Sequence, residues 1–412
     1  MTVCLAGLRV LDLSRILAGP WATQLLADLG AEVIKVERPG DGDDTRGWGP
    51  PFVRGAHEAD VFSAYYLAAN RGKKSVALDL SSQDGREIIG SLAGHCDVVV
   101  ENFSVGAAKR LGFDFERLSS INPGLIYCSI TGFGQTGPHK DKPGYDLLVQ
   151  AMGGLMSITG SPEGEPMKVG VAVADLLTGL YATVAILAAL NERHTSGLGQ
   201  HIDLALLDVQ IATLANQGMN FLASGKAPSR SGNAHPNIVP YQAFATSDGH
   251  VVIAVGNDAQ FARFAAVVGL PELSADPRFL TNADRVQNRA ALIPILSQKI
   301  RSLQKRDLLK DLEENRVPAG PINDLHEVFG DPQIEARGLV VEQHVAEGRP
   351  PLRTLGNPIR LSRSPVRYDR APPRLGADTV QILRDDLGIP NSKLDQLIEQ
   401  GVVAQNSESA SS

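Results

Sequence analysis

The first half of the chain alternates short β-rich runs with amphipathic stretches. Periodic apolar positions in residues 21–29 and 83–93 predict helices. Runs rich in β-branched and aliphatic residues predict strands at residues 8–14, 31–37, 74–80, 96–102 and 125–131. This alternation is typical of βαβ units and predicts an α/β fold with a mainly parallel, doubly wound sheet. Ligands of such sheets bind beyond the carboxyl ends of the strands, so the loops there are the first places to look for a site.

The pattern changes near Pro240. The segment YQAFATSDGHVVIAVG alternates around Asp248-Gly249, which predicts a β-hairpin. Helical patterns follow at residues 259–268, 289–303 and 305–314. We therefore predict a large domain over 1–200, a linker over 201–235, a small α/β domain over 236–325, and a linker over 326–412 that returns to the large domain and ends in a disordered tail.

Composition narrows the class of protein. The chain has 412 residues, of which 43% are hydrophobic and 21% charged, as expected for a globular enzyme. Its net charge of −7 argues against a nucleic-acid partner. The apolar stretch Val171–Leu190 contains Asp175 and Thr178, which favours a buried core helix over a membrane span.

Cysteine usage and the N-terminus bear on location. Cys4, Cys96 and Cys128 form no C-x-x-C pair, so neither a disulfide framework nor a zinc site is predicted. The N-terminus resembles no secretory signal. We expect a cytoplasmic protein without bound metal, or a mitochondrial matrix protein if a transit peptide has been removed.

Common catalytic motifs are absent from the sequence. The first βα turn, Ser14–Pro20, lacks the G-x-G-x-x-G of dinucleotide-binding folds, and P-loop, G-x-S-x-G and H-E-x-x-H patterns are also missing. Basic residues instead lie near predicted strand ends. Together they predict a pocket for a phosphorylated ligand despite the negative net charge.

Asp175 lies in an almost wholly apolar segment, where an ionised carboxylate is unfavourable unless it has partners. The helical run begins at or just after this residue. Its carboxylate is therefore interpreted either as a helix N-cap or as an oriented, partly desolvated nucleophile. The residues alone leave both interpretations open.

Several collinear segments resemble the class III CoA-transferases, a family that includes formyl-CoA transferase and is related to α-methylacyl-CoA racemase. The resemblance is carried by GLRVLDLSRILAGPWATQLLADLGAEVIKVERP, GDDTRGWGPPF, NRGKKSVALDL, DVVVENF, SITGFGQTGP, GVAVADLLTGLYA and, more loosely, NIVPYQAF and VPAGPIND. These segments are most similar to the succinyl-CoA:glutarate CoA-transferase branch, which moves CoA between short dicarboxylates. The resemblance also implies a Rossmann-like large domain built from both chain ends, a smaller central α/β domain, and an interlocked, ring-shaped homodimer.

The resemblance implies a role for individual residues. The family's catalytic aspartate falls on Asp175, which would carry an aspartyl-CoA thioester. CoA contacts fall on Ile16, Leu17, Arg38, Leu78, Ser81, Asn102, Phe103, Ser104, Arg110, Lys142 and Tyr145. Acceptor contacts are expected at Arg46, Trp48, Gly256 and Asn257, with the Arg46 guanidinium holding the remote carboxylate of a dicarboxylate.

The implied substrates are an acyl-CoA and a free carboxylic acid, so CoA is part of a substrate and no tightly bound cofactor is expected. Leu17 replaces the active-site glutamine of formyl-CoA transferase, Pro143 replaces a CoA-contacting lysine, and VGNDAQF replaces a glycine-rich loop. Two alternatives remain: a racemase-like isomerase and a non-catalytic acyl-CoA-binding protein. The racemase is disfavoured because Tyr145, with an ordinary pKa near 10, replaces its histidine.

Overall fold

A computed structural model describes residues 3–54, 61–343 and 350–405. Over these ranges the chain divides into two compact units. The first comprises Met1–Gly153, Val169–Gly218 and Glu335–Ser412, and the second Gly154–Lys168 and Met219–Ile334. The second unit thus contains the segment predicted as a small domain and also takes in residues 154–168. The predicted tail, residues 407–412, lies outside the described residues.

Strands and helices alternate through the described chain. The strands are β1 (Arg9–Asp12), β2 (Glu32–Glu37), β3 (Phe52–Arg54), β4 (Val61–Ser63), β5 (Lys73–Leu78), β6 (Val98–Glu101), β7 (Ile126–Thr131), β8 (His201–Ala205), β9 (Tyr241–Thr246), β10 (Gly249–Ala254), β11 (Ala319–Pro321), β12 (Val340–Gln343), β13 (Leu352–Leu355) and β14 (Val403–Ala404). The helices are α1 (Ala18–Asp28), α2 (Ala64–Ala69), α3 (Gln83–Gly94), α4 (Ala107–Leu111), α5 (Phe115–Ile121), α6 (Asp146–Met152), α7 (Leu155–Ile158), α8 (Val173–Ser196), α9 (Leu206–Ala212), α10 (Ala215–Ser224), α11 (Asp258–Val267), α12 (Asn282–Gln287), α13 (Arg289–Ile300), α14 (Lys305–Glu314), α15 (Leu325–Phe329), α16 (Pro332–Ala336), α17 (Thr379–Asp385) and α18 (Asn391–Glu399). Short 3-10 turns lie at Asp44–Gly47 and Pro271–Ser274.

A seven-stranded sheet organises the described part of the first unit, in the order β14-β5-β2-β1-β6-β7-β8. All neighbours pair in parallel except β14, which runs antiparallel to β5 at one edge. This confirms the predicted mainly parallel sheet. The six parallel strands follow the 3-2-1-4-5-6 order of doubly wound folds, which places the topological switch point between β1 and β6.

Two apolar layers cover the sheet because alternate strand residues face opposite sides. Leu11 of β1 belongs to the core beneath α3, α5, α17 and α18, whereas its neighbour Val10 belongs to the core beneath α1 and α8. The C-terminal helices α17 and α18 complete the first of these layers. The segment Glu335–Ser412 accordingly belongs to the first unit.

Helix α8 is long and apolar enough to cross a membrane by length and composition alone. Within the first unit one face of this helix packs on α1 with Ala182 and Ile186 fully buried, whereas Tyr181 and Val184 on α8 are exposed. The close approach of the two helices requires Gly179, because a Cβ there would lie 2.7 Å from the Ala18 carbonyl oxygen. This contact holds the first turn of α8 next to the start of α1.

The linker predicted over residues 201–235 is wrong in its first part, because these residues form regular secondary structure. His201–Ala205 forms β8 at the edge of the large sheet, and α9 and α10 follow it. The strand was missed because its five residues lie between turn-forming glycines and the next helix, where alternation is too short to be distinctive.

In the second unit, β9, β10 and β11 form an antiparallel sheet with α11, α13 and α14 packed around it. The predicted hairpin is confirmed, with Thr246 paired to Gly249 across the turn. Arg285 is buried in this core, where it donates to the Asp258 carboxylate at 2.7 Å and to the Val239 carbonyl at 2.7 Å. These bonds tie α12 to the start of α11.

Candidate active site

The loop that follows β1 forms one wall of the site. Ile16 has a φ of 72°, a left-handed conformation that is strained for a β-branched residue. Asn102, which follows β6, accepts from the Arg15 amide at 2.9 Å and donates to the Arg15 carbonyl at 2.8 Å. The carboxyl ends of β1 and β6 are therefore locked together at the switch point. Strain of this kind costs about 1–3 kcal/mol and is typically found at functional sites.

Asp175 lies in the first turn of α8, but it is not the helix cap. The helix begins at Val173, and its N-cap Ala172 has no capping side chain. The Asp146 carboxylate takes this place by accepting from the Ala174 amide at 2.8 Å and, more weakly, from the Asp175 amide at 3.4 Å. Gln150 holds the other Asp146 oxygen at 2.6 Å. The N-cap interpretation of Asp175 is therefore wrong, and its carboxylate is not used for capping.

The surroundings of Asp175 disfavour its negative charge. Burial, and secondarily the negative charge of Asp146, raise the pKa of Asp175 from 3.8 to about 7. No donor from the described residues hydrogen-bonds the Asp175 carboxylate. A carboxylate without donors and with little solvation is more basic and more nucleophilic than an exposed one.

Asp175 opens into a cavity of about 320 Å³ within the first unit. The cavity walls are formed by the segments that follow β1, β6 and β7 and by the loop that leads into α6. It is lined by Arg15, Ile16, Leu17, Ala18, Asn102, Phe103, Ser104, Val105, Ile130, Thr131, Gly132, Lys140, Asp141, Lys142, Pro143, Gly144, Tyr145, Asp175 and Leu206. Seven of the predicted CoA contacts therefore lie beside the predicted nucleophile.

A second cavity of about 190 Å³ lies next to the first and shares Arg15 and Phe103 with it. Three further predicted CoA contacts, Arg38, Leu78 and Ser81, line this second cavity. The two cavities together extend from Asp175 across the carboxyl ends of β1, β2, β5 and β6. Arg110 lies on exposed α4 and lines neither cavity.

Arg46 does not have the role expected from the sequence. Its Nε and Nη2 atoms each bond a different oxygen of Glu37, both at 2.7 Å, and Nη2 also donates to the Tyr66 hydroxyl at 2.6 Å. The Glu37 side chain is almost fully buried. The predicted use of Arg46 for a substrate carboxylate is therefore corrected: its guanidinium already neutralises a buried carboxylate.

The other predicted acceptor residues have separate positions. Trp48 is 44% exposed and contacts Tyr65 edge-to-face, with ring centroids 5.1 Å apart. Burial and the charges of Asp175 and Asp146 raise the pKa of Tyr65, which places this aromatic pair within electrostatic reach of Asp175. Gly256 and Asn257 lie in the second unit, where Asn257 caps α11 through the Gln260 amide at 2.9 Å.

Sequence reasoning missed Arg15, Lys140, Asp146 and Tyr65. A signal existed for Lys140, because it lies beside Lys142 in a short basic run next to Gly144-Tyr145. Asp146 lies in the segment GYDLL, which resembles the family, but its role as a cap depends on α6 and α8 meeting at their N-termini. Within residues 3–54, 61–343 and 350–405, no group of three or more His, Cys, Asp or Glu side chains is arranged to hold a metal ion.

Comparisons with known proteins give a consistent family. Residues 5–379 match CoA-transferase family III. A succinate–glutarate CoA-transferase of Agrobacterium fabrum is 52% identical over 383 residues, covering 92% of this chain and 95% of the relative. The succinyl-CoA:glutarate CoA-transferase of Homo sapiens is 45% identical over 403 residues, covering 98% and 90%.

Solved structures resemble this chain in the same way. A CAIB/BAIF family protein from Brucella suis has a TM-score of 0.83 and 49% identity, with coverage of 94% of this chain and 100% of the other. A hypothetical protein from Mycobacterium tuberculosis has a TM-score of 0.81 and 32% identity, with coverage of 93% and 99%.

The raised pKa of Asp175 predicts a pH-dependent gain in stability when its charge is removed. The unfolded carboxyl ionises near 3.8 and the folded one near 7, so the native state binds the extra proton between these values and the group destabilises the fold as pH rises. Asp175→Asn should therefore raise Tm at pH 8 and have little effect at pH 4, with a limit of about 4 kcal/mol. Thermal unfolding measured from pH 4 to 9 tests this.

The exposed Asp395 on α18 provides the control, because Asp395→Asn should leave Tm nearly unchanged throughout this range. A gain from Asp175→Asn that is the same at pH 4 and pH 8 would show that the carboxylate is not destabilised by its surroundings.

Proposed function

The chain belongs to CoA-transferase family III, and we propose that it moves CoA from succinyl-CoA to glutarate through a covalent thioester on Asp175. The observation that carries the proposal is the position of Asp175: part-buried, without hydrogen-bond donors among the described residues, and at the wall of a cavity of about 320 Å³. The relatives named for succinate and glutarate supply the substrate pair.

The first half-reaction begins with attack of the Asp175 carboxylate on the thioester carbonyl of succinyl-CoA. The carbon–sulfur bond breaks, which leaves a succinyl–aspartyl anhydride and a CoA thiolate. The thiolate then attacks the aspartyl carbonyl and expels succinate. The product is an aspartyl-CoA thioester, so the energy of the original thioester is retained.

The second half-reaction repeats these steps in reverse with the acceptor. A glutarate carboxylate attacks the aspartyl thioester and releases the CoA thiolate, forming a glutaryl–aspartyl anhydride. The thiolate attacks the glutaryl carbonyl, and glutaryl-CoA leaves with the Asp175 carboxylate restored. The two steps that form an anhydride need a poorly solvated carboxylate as the nucleophile. Water must be excluded throughout because it would hydrolyse the anhydrides.

The cations around the two cavities suit anionic substrates. Arg15, Lys140 and Lys142 line the larger cavity and Arg38 lines the smaller one. Arg15 and Arg38 also pair with the part-exposed Asp44 carboxylate, at 2.8 and 3.0 Å, whereas Arg46 pairs with a buried one. Guanidinium and ammonium groups recognise phosphate and carboxylate oxygens by charge-assisted hydrogen bonds. These cations of the first unit can therefore bind both the phosphates of CoA and the carboxylates of the dicarboxylic acid.

The racemase alternative is not favoured by the geometry. Proton transfer at an α-carbon needs two acid/base groups on opposite sides of that carbon. Asp146 is already bound to the amides at the start of α8, and Tyr145 is 62% exposed. The Asp146 carboxylate is therefore occupied by backbone amides, and the two residues do not form a pair that flanks a substrate carbon beside Asp175.

Removing the nucleophile should separate transfer from binding. Asp175→Ala should lower kcat for succinyl-CoA:glutarate exchange by several orders of magnitude, because the carboxylate that forms the anhydride and the thioester is removed. Its affinity for free CoA, measured by calorimetry, should stay within about threefold, since the cations and apolar walls remain. Asp208→Asn is the control, as Asp208 also lies in a helix first turn but outside both cavities. Exchange by Asp175→Ala within tenfold of wild type would refute the assignment.

The exposed apolar surface of the first unit supports a homodimer. Helices α6, α8 and α9 pack against one another, yet Leu147, Tyr181, Val184 and Ile211 are 45–64% exposed. Large exposed apolar side chains on helices that pack together are typical of an interface, and the family resemblance implies two copies of the chain. We therefore propose that a second copy covers this surface.

Light scattering after size-exclusion chromatography should give about twice the chain mass of 43.9 kDa. A charged substitution at an exposed apolar residue of α8, Val184→Glu, should reduce that mass, whereas Lys310→Glu at an exposed position of α14 should not. A wild-type protein that stays monomeric at micromolar concentration would contradict the proposal.

A further inference from the structure

The Asp43 carboxylate accepts hydrogen bonds from the strained loop that follows β1. The Ile16 amide lies 3.3 Å from each Asp43 oxygen. Ile16 is the residue with a φ of 72° that lines the cavity beside Asp175. A β-branched residue leaves this conformation readily unless its surroundings fix it.

Lys35 fixes the same loop from β2. Its Nζ donates to the Asp43 carboxylate at 2.8 Å and to the Ser14 carbonyl at 2.9 Å. Both side chains of this ion pair are completely buried. The peptides on either side of Arg15 are therefore held by one buried pair, while Asn102 holds Arg15 itself.

Asp43 also orders a second loop. It accepts from the Thr45 amide at 3.0 Å and from the Thr45 hydroxyl at 2.8 Å, which caps the 3-10 turn Asp44–Gly47. This turn leads directly into Trp48. Four donors thus converge on one carboxylate, and they connect the Ile16 wall of the cavity with the loop that carries the exposed tryptophan.

We propose that Asp43 is a positioning residue for CoA transfer, which acts by holding Ile16 in its left-handed conformation. Without the hydrogen bonds from its amide to Asp43, Ile16 returns to negative φ. The peptide between Ile16 and Leu17 then rotates in the wall of the cavity that Asp175 also lines. The geometry around the reacting carbonyl then changes although no group that touches substrate is lost. The proposal rests on the function proposed above.

A double-mutant cycle separates this role from a general effect on folding. Asp43→Asn should lower kcat by about ten- to a hundredfold. Glycine adopts positive φ without strain, so Ile16→Gly makes the hold unnecessary. In an Ile16→Gly background, Asp43→Asn should therefore lower kcat by no more than about threefold.

Ile16→Ala is the matched control. Like Ile16→Gly it removes the side-chain atoms beyond Cβ, but it keeps the Cβ that makes positive φ unfavourable. Asp43→Asn should cause its full loss of kcat in the Ile16→Ala background. Equal losses in the glycine and alanine backgrounds would overturn the proposal. If Asp43→Asn does not fold, Lys35→Met/Asp43→Asn removes the unpaired buried charge and serves in the same cycle.

A crystal structure of Asp43→Asn gives a readout that does not depend on the reaction. Ile16 should have a negative φ in this variant, and a φ that stays near 70° would overturn the proposal. Absence of succinyl-CoA:glutarate exchange in the wild-type protein would instead refute the proposed function, and the two failures are thereby distinguished.

Discussion

An undersolvated carboxylate is the constraint on which the site depends. Asp175 lies at the start of a helix, where amide N–H groups would normally stabilise its charge. Asp146 accepts those N–H groups instead, and its own negative charge adds to the effect of burial in raising the pKa of Asp175 to about 7. The fold thus holds Asp175 in place by its backbone while leaving its carboxylate free to react.

Buried ion pairs make this arrangement rigid. Asp12 pairs with Lys73 at 2.9 Å, Lys35 with Asp43 at 2.8 Å, and Arg46 with Glu37. Such pairs contribute little net stability compared with apolar residues of the same size, but breaking one is strongly destabilising. They fix the loops after β1 and β2, and their charges are not available to a ligand. Under the proposed function, substrate charges would be met instead by the cations that line the cavities.

Local patterns predicted the elements that local patterns determine. The parallel strands, the hairpin at Asp248-Gly249 and helix α14 follow from periodicity and turn residues, and the apolar setting of Asp175 indicated an unusual carboxylate. Strand β8 was missed because a short edge strand has little pattern of its own. Arg46 was misassigned because its partner Glu37 is nine residues away in sequence, and burial of that pair is a property of the folded loops. The cap by Asp146 likewise depends on two helices that meet only in three dimensions.

Peptide mass spectrometry tests most directly whether CoA becomes covalently attached to Asp175. The protein would be incubated with succinyl-CoA without acceptor, quenched in acid and digested with trypsin, which releases residues 169–193 as one peptide. This peptide contains two carboxylates, Asp175 and Glu192, and fragmentation distinguishes them. A CoA adduct is expected on Asp175 and should disappear when glutarate is added before quenching. An adduct on another residue, or turnover without any adduct on this peptide under conditions that trap thioesters, would contradict it.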